Sequence, residues 1–199
     1  MRKAAVAISL TAIFLAISLL FWYQEGQYLL PTPIPTDYAA VLPGEAISLD
    51  STIVSSPALL HFFNPDCPCS RFNLKHFQAL TEKYQSITFY AVVTDEEKAS
   101  TARGMLGSGI MVIVDSDEKL AKKCGVYSTP QAAILTKDQT LFFRGNYNRA
   151  RYCTDKTSNF VQMALDSLVA NSAPPVFNPL ATNSYGCTLP GNEKLYGTP

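Results

Sequence analysis

A chain of 199 residues has room for one full domain with extensions and hardly for two. Its 47% hydrophobic and 16% charged content is that of a globular protein rather than a disordered one. Basic and acidic side chains balance at 16 each, for a formal charge of +0, and no Lys/Arg-rich block occurs, so the electrostatic footprint of a nucleic-acid binder is excluded.

Arg2 and Lys3 precede an uncharged run from Ala4 to Tyr23. As a helix it is long enough to cross about 30 Å of hydrocarbon, and Phe21, Trp22 and Tyr23 close it as an interfacial aromatic belt would. A cleaved signal peptide is the competing reading. Its apolar region is usually shorter and precedes a small-x-small site, and no convincing Ala-x-Ala follows Tyr23. Residues 1–24 are therefore read as an uncleaved transmembrane anchor, positive end in the cytoplasm, with the rest of the chain on the extracytoplasmic (periplasmic) side. Disulfides persist there. The five cysteines are Cys67, Cys69, Cys124, Cys153 and Cys187, an odd number that leaves at least one without an intrachain bridge.

Residues 25–45 include four prolines between Pro31 and Pro43 and suit a semi-rigid spacer. From there to residue 170 strand and helix patterns alternate. Pro57–Phe63 is a short apolar strand bounded by turn residues. Cys69–Tyr84 places Phe72, Phe77, Leu80 and Tyr84 at helical spacing. Ile87–Val93 is a second strand. Asp95–Leu106 is a helix whose opening acids complement its N-terminal partial charge. Gly109–Asp115 is a third strand, Asp117–Gly125 a helix ended by glycine, and Gln131–Gly145 a hairpin about a Thr-Lys-Asp-Gln turn. Thr157–Ala170 is a last amphipathic helix, and 171–199 a tail rich in Pro, Asn and Gly that carries Cys187. The order predicts an α/β domain over 46–170 whose parallel strands are linked by right-handed crossovers and whose closing hairpin adds antiparallel strands.

The strand, the segment "NPDCPCS", the following helix and the much later "GVYSTPQAAIL" together resemble the thioredoxin-like superfamily, and most its membrane-anchored extracytoplasmic thiol–disulfide oxidoreductases. The resemblance spans residues 51–170 and implies a three-layer sandwich about a central mixed sheet. It puts Cys67 at the nucleophile's place and Thr129–Pro130 at the place of a proline with a cis peptide bond, where Thr129 and Pro130 would bind substrate. The family pattern is C-x-x-C, whereas here Ser70 stands where the resolving cysteine should. Three routes are open: Cys69 resolves, Cys67 acts alone, or a distant cysteine resolves. The implied catalytic set is Cys67, Cys69 and Pro130, with no cofactor. The implied partners are protein thiols and disulfides and a redox partner protein.

Physical chemistry points to Cys67 independently. A helix start presents N–H groups and partial positive charge, which favours thiolate over thiol, and thiolate is the attacking species. Pro68 fits the first helical position, where no N–H is needed. A Cys67–Cys69 bond would close a very small ring with little loop-entropy gain, which argues against a mere staple. A soft metal such as Cu(I) could use two thiolates and a histidine, but His61 and His76 lack the spacing of a tight site, and no metal is assigned. A copper chaperone, a thiol peroxidase and a redox-inactive interaction domain are the alternatives, the peroxidase disfavoured because Asn64 stands where a threonine is usual. Cys124 is expected to be buried and inert. A structural Cys153–Cys187 disulfide is expected to pin the tail, with resolution of Cys67 by one of the two as its alternative.

Overall fold

The computed structural model describes residues 2–24, 26, 30–49, 57–107 and 109–189. Residues 25 and 27–29 of the expected spacer, 50–56 at the start of the expected domain, and 190–199 of the tail lie outside the described residues. The chain forms two compact units, one within residues 1–31 and one within 32–199. The first is helix α1 (Arg2–Gln24), with no buried residue and a mean hydropathy of 2.5 over its most apolar stretch. It is long and apolar enough to cross a membrane.

In the second unit β1 (Ala58–Phe62) is central because every one of its positions is apolar or finds a buried partner. It pairs in parallel with β2 (Thr88–Val93), which pairs in parallel with β3 (Met111–Val114). On its other side β1 runs antiparallel to β5 (Gln131–Leu135), which pairs antiparallel with β6 (Leu141–Gly145). The order is β3-β2-β1-β5-β6, and a separate pair joins β4 (Ser128–Thr129) to β7 (Cys187–Thr188).

Strand periodicity divides the core. Leu59 and Phe63 face Phe77 and Leu80 of α2 (Pro68–Lys83), the alanines of α3 (Glu96–Leu106), and Phe160 and Leu165 of α5 (Phe160–Val169). Leu60 and Phe62 face the other way, toward Val126, Leu189 and Ala121 of α4 (Lys119–Lys123). This is the three-layer thioredoxin-like sandwich. Asp95 caps α3 by accepting from the Lys98 N–H at 2.8 Å, and the Asp115 carboxylate accepts from the N–H groups of Leu120 and Ala121 at 3.0 and 2.9 Å. These caps satisfy helix-start donors that have no intrahelical acceptor.

The expected elements are present with trimmed ends, and α5 is preceded by a 3-10 turn at Lys156–Ser158. Phe72, one of the residues at helical spacing in α2, is 43% exposed and lies under the Arg151 guanidinium, 5.2 Å from its ring centre. The described unit also extends beyond 46–170. Thr32 is buried and donates its N–H to Ser184 O at 2.8 Å, while Tyr38 donates to Gly125 O at 3.1 Å. In the tail, Phe177 packs edge-on against Phe143 and Phe160, and Ala181 is fully buried.

His61, on β1, is fully buried, stacks on Phe77 at 4.3 Å and is hydrogen-bonded to the Tyr147 hydroxyl, 2.8 Å from Nδ1. Burial pushes its pKa down to about 3, so the ring is neutral at physiological pH. An unfolded histidine titrates near 6.5. Between the two values the unfolded chain binds a proton that the native chain refuses, so stability is complete above about pH 6.5 and declines as pH falls, by about 1.4 kcal/mol per unit. His76, lowered by the same cause, acts in the same direction. The depressed carboxylates of Asp95, Asp117 and Asp155 act only below about pH 4. Urea midpoints at pH 7.5 and 4.5 should show this loss in the native sequence and a smaller one in the His61→Leu/Tyr147→Phe double variant. Equal losses would mean that His61 is not the proton-refusing group.

Candidate functional site

After β1 the chain makes a tight turn. The Cys67 N–H donates to Asn64 O at 3.1 Å, and the Asn64 N–H donates to Ser70 Oγ at 3.3 Å. Ser70, fully buried, thus clamps the turn from the place where a C-x-x-C motif would carry its second thiol. Cys67 is the N-cap of α2, with φ −78° and ψ 121°, and Pro68 opens the helix. The Cys67 side chain makes no cap hydrogen bond, so its sulfur sits at the positive end of the helix without spending itself on the backbone.

The Thr129–Pro130 peptide bond is cis, and Thr129 O lies 3.7 Å from Cys67 Sγ. Cys67 is joined to Cys187 by a disulfide, with Cα atoms 6.1 Å apart. The partner comes from the tail. Strand β7 lies antiparallel to β4, with Thr129 opposite Cys187 and Ser128 opposite Thr188, and the Leu189 N–H donates to Tyr127 O at 3.3 Å. Gly186 makes the approach possible. Its φ is +117°, and a Cβ there would run into Thr129 O. A side chain would be both strained and obstructed.

The expected Cys153–Cys187 bridge is corrected by this geometry. The register of β7 on β4 brings Cys187 to Cys67, and Cys153 turns inward to donate from Sγ to Asn73 Oδ1 at 3.0 Å. Cys69 takes no part in a disulfide and is fully buried. Residues two apart on a helix point about 200° apart, so when Cys67 faces the Thr129 loop, Cys69 faces the core. Burial pushes the thiols of Cys124 and Cys153 up to about 12, which leaves both protonated and unreactive at neutral pH. The site therefore gathers Cys67, Thr129 and Pro130 as read from the sequence, together with Cys187 and Gly186. Cys187 enters the sequence reading as one of the two distant cysteines that could resolve Cys67, and nothing in the sequence singles out Gly186.

Among the described residues no three of His, Cys, Asp and Glu gather as metal ligands would. The arginines near the tail are structural. Arg144 donates to Thr182 O and Tyr38 Oη at 3.1 and 2.9 Å, Arg149 pairs with Asp155 at 2.6 Å, and Arg151 stacks on Phe72 and Tyr152.

Gly186→Ala should cost at least about 1 kcal/mol at the tail and leave a fraction of Cys187 open to maleimide without reductant. Gly44→Ala is the control, because Gly44 shares a positive φ, +94°, but has nothing within 4 Å of its would-be Cβ. Equal maleimide labelling of Cys187 in both would show that strain alone, not the contact with Thr129, is at work.

A family model described as a domain of unknown function, DUF6436, matches residues 43–188, a span that includes both bonded cysteines. No curated protein compared with the chain matches it. Among solved structures it is similar to a hypothetical protein from Sinorhizobium meliloti 1021, at 18% identity and TM-score 0.59 over 79% of this chain and 94% of the other. It is equally similar to an uncharacterized conserved protein from Geobacillus kaustophilus, at 18% identity and TM-score 0.58 over 78% and 90%. A more distant match is a putative thiol:disulfide interchange protein DsbE from Chlorobium tepidum, at 15% identity and TM-score 0.47 over 53% and 85%. At these identities the likeness is one of fold. The extent of the family match is decisive: the chain belongs to the DUF6436 family.

Proposed function

We propose that this protein is a membrane-tethered, extracytoplasmic thiol–disulfide oxidoreductase whose redox couple is Cys67–Cys187. The observation that carries the reading is the position of the bond, at the N-cap of α2 and against the Thr129–Pro130 loop. Cys67 is the sulfur that the helix start stabilises as thiolate. Cys187 takes the resolving role expected of Cys69, and Thr129 and Pro130 shape the wall beside the couple. In one full exchange the disulfide accepts two electrons and two protons from two thiols, giving two cysteine thiols and one new disulfide. The reverse exchange reduces a protein disulfide. No cofactor takes part in either direction.

Activity of the detergent-solubilised full chain in dithiothreitol-driven insulin reduction should fall to background in Cys67→Ser and Cys187→Ser and persist in Cys69→Ser. Equilibration with glutathione should place the couple between about −120 and −270 mV, the span of dithiol oxidoreductases. A potential below about −300 mV would make the bond a permanent strap and end the redox reading.

The orientation is supported by Arg2 and Lys3 in the first turn of α1 and by a disulfide that suits an oxidising compartment. In an expressing Gram-negative host, protease added to spheroplasts should digest the domain. Protection until lysis would reverse the topology.

A further inference from the structure

The two bonded cysteines are not equally exposed. Cys67 is 1% exposed, whereas Cys187, on the strand that covers it, is only half-buried. An extended peptide adding itself beside Thr129 would need the main-chain positions that β7 already holds. The crevice lined by Phe63, Asn64, Thr129 and Thr188 has a volume of about 10 Å³, room for no more than one water. Nor does the tail rest on the disulfide alone. Fully buried Asn146 donates from Nδ2 to the carbonyls of Leu180 and Asn183 at 2.9 and 2.7 Å, and from its N–H to Ala181 O at 2.8 Å. The Thr32 N–H holds Ser184 O, and Leu189 is 4% exposed in the core. These contacts do not involve either sulfur, so the strand keeps its place when the bond is exchanged.

We propose that Cys187 is the sulfur at which reducing equivalents enter, and that the thiol delivering them is of low molecular weight, with its sulfur on a short flexible arm. This rests on the redox reading above. The incoming thiolate attacks Cys187 Sγ, a new sulfur–sulfur bond forms there, and the Cys67–Cys187 bond breaks. Its electron pair leaves on Cys67 as thiolate, at the positive end of α2, where the partial charge of the helix start favours the departing anion. A second small thiolate then attacks the mixed disulfide, takes the first as a small disulfide, and releases Cys187 as thiolate, which is protonated by solvent. Two small thiols are oxidised and one protein disulfide is reduced.

The oxidised full chain, incubated with reduced glutathione, acid-quenched, alkylated with N-ethylmaleimide and peptide-mapped, should carry glutathione on Cys187 and maleimide on Cys67. This arrangement should exceed the reverse by at least about tenfold. A folded protein with a single cysteine inside a surface β-strand should react at least about tenfold more slowly per thiolate than glutathione. Glutathione found mainly on Cys67, or the strand thiol reacting as fast, overturns this inference and leaves the redox reading standing. A disulfide that survives excess dithiothreitol removes the redox reading itself, and this inference with it.

Discussion

One covalent bond between residues 120 apart in sequence draws three segments to a point: the start of α2, the loop before β5, and the tail. The helix fixes Cys67, the sheet fixes Thr129 through its continuity with β5, and the tail must reach both. The reach is narrow. Gly186 crosses Thr129 O at a distance that only a residue without Cβ tolerates, and its φ of +117° belongs to the same requirement. The bond can form only because that crossing is possible.

The non-covalent support for this point comes from three consecutive residues after β6. Asn146, Tyr147 and Asn148 are all buried and each speaks to a different part of the fold. Asn146 holds the tail carbonyls, the Tyr147 hydroxyl is hydrogen-bonded to His61 on β1, and Asn148 O accepts from Tyr185 at 2.8 Å while its Nδ2 reaches Asp155 O and Asn159 Oδ1. Just before them, Gly145 leaves room for Ala181 O, which a Cβ would occupy. Buried polar side chains that are satisfied in this way rigidify a core, and here they register the tail against the sheet.

Much of this was legible beforehand, for local reasons. Apolar strands and amphipathic helices announce themselves by periodicity, and Cys67, Pro68 and Thr129–Pro130 by their places at element boundaries. What failed to show were relations between segments without periodicity. The spacer reading of residues 25–45 rested on proline content, yet Thr32 is hydrogen-bonded to Ser184 O and Gly186 O of the tail and Tyr38 to Gly125 O and Arg144, contacts that composition does not encode. The pairing of Cys187 with Cys67 stood only as the alternative to a Cys153 bridge for the same reason, since a two-residue strand carries no pattern. Cys69 misled through its nearness in sequence to Cys67, because helical rotation separates what the chain places two residues apart.

The same architecture sets two opposing influences on the couple. Cross-linking positions so far apart restricts the unfolded chain by about 4–5 kcal/mol. By linkage the native fold resists reduction of that bond by as much, on the order of 100 mV for a two-electron couple. The docked tail is the physical form of this resistance, for Asn146 and Thr32 hold it by contacts that involve neither sulfur. The helix start is the opposing influence, because partial positive charge beside a sulfur favours thiolate and with it the reduced state. Tail anchoring and helix electrostatics reside in different residues, Asn146 and Thr32 for one and the first turn of α2 for the other. Substitutions in one or the other would therefore move the potential of this bond in either direction without touching a cysteine.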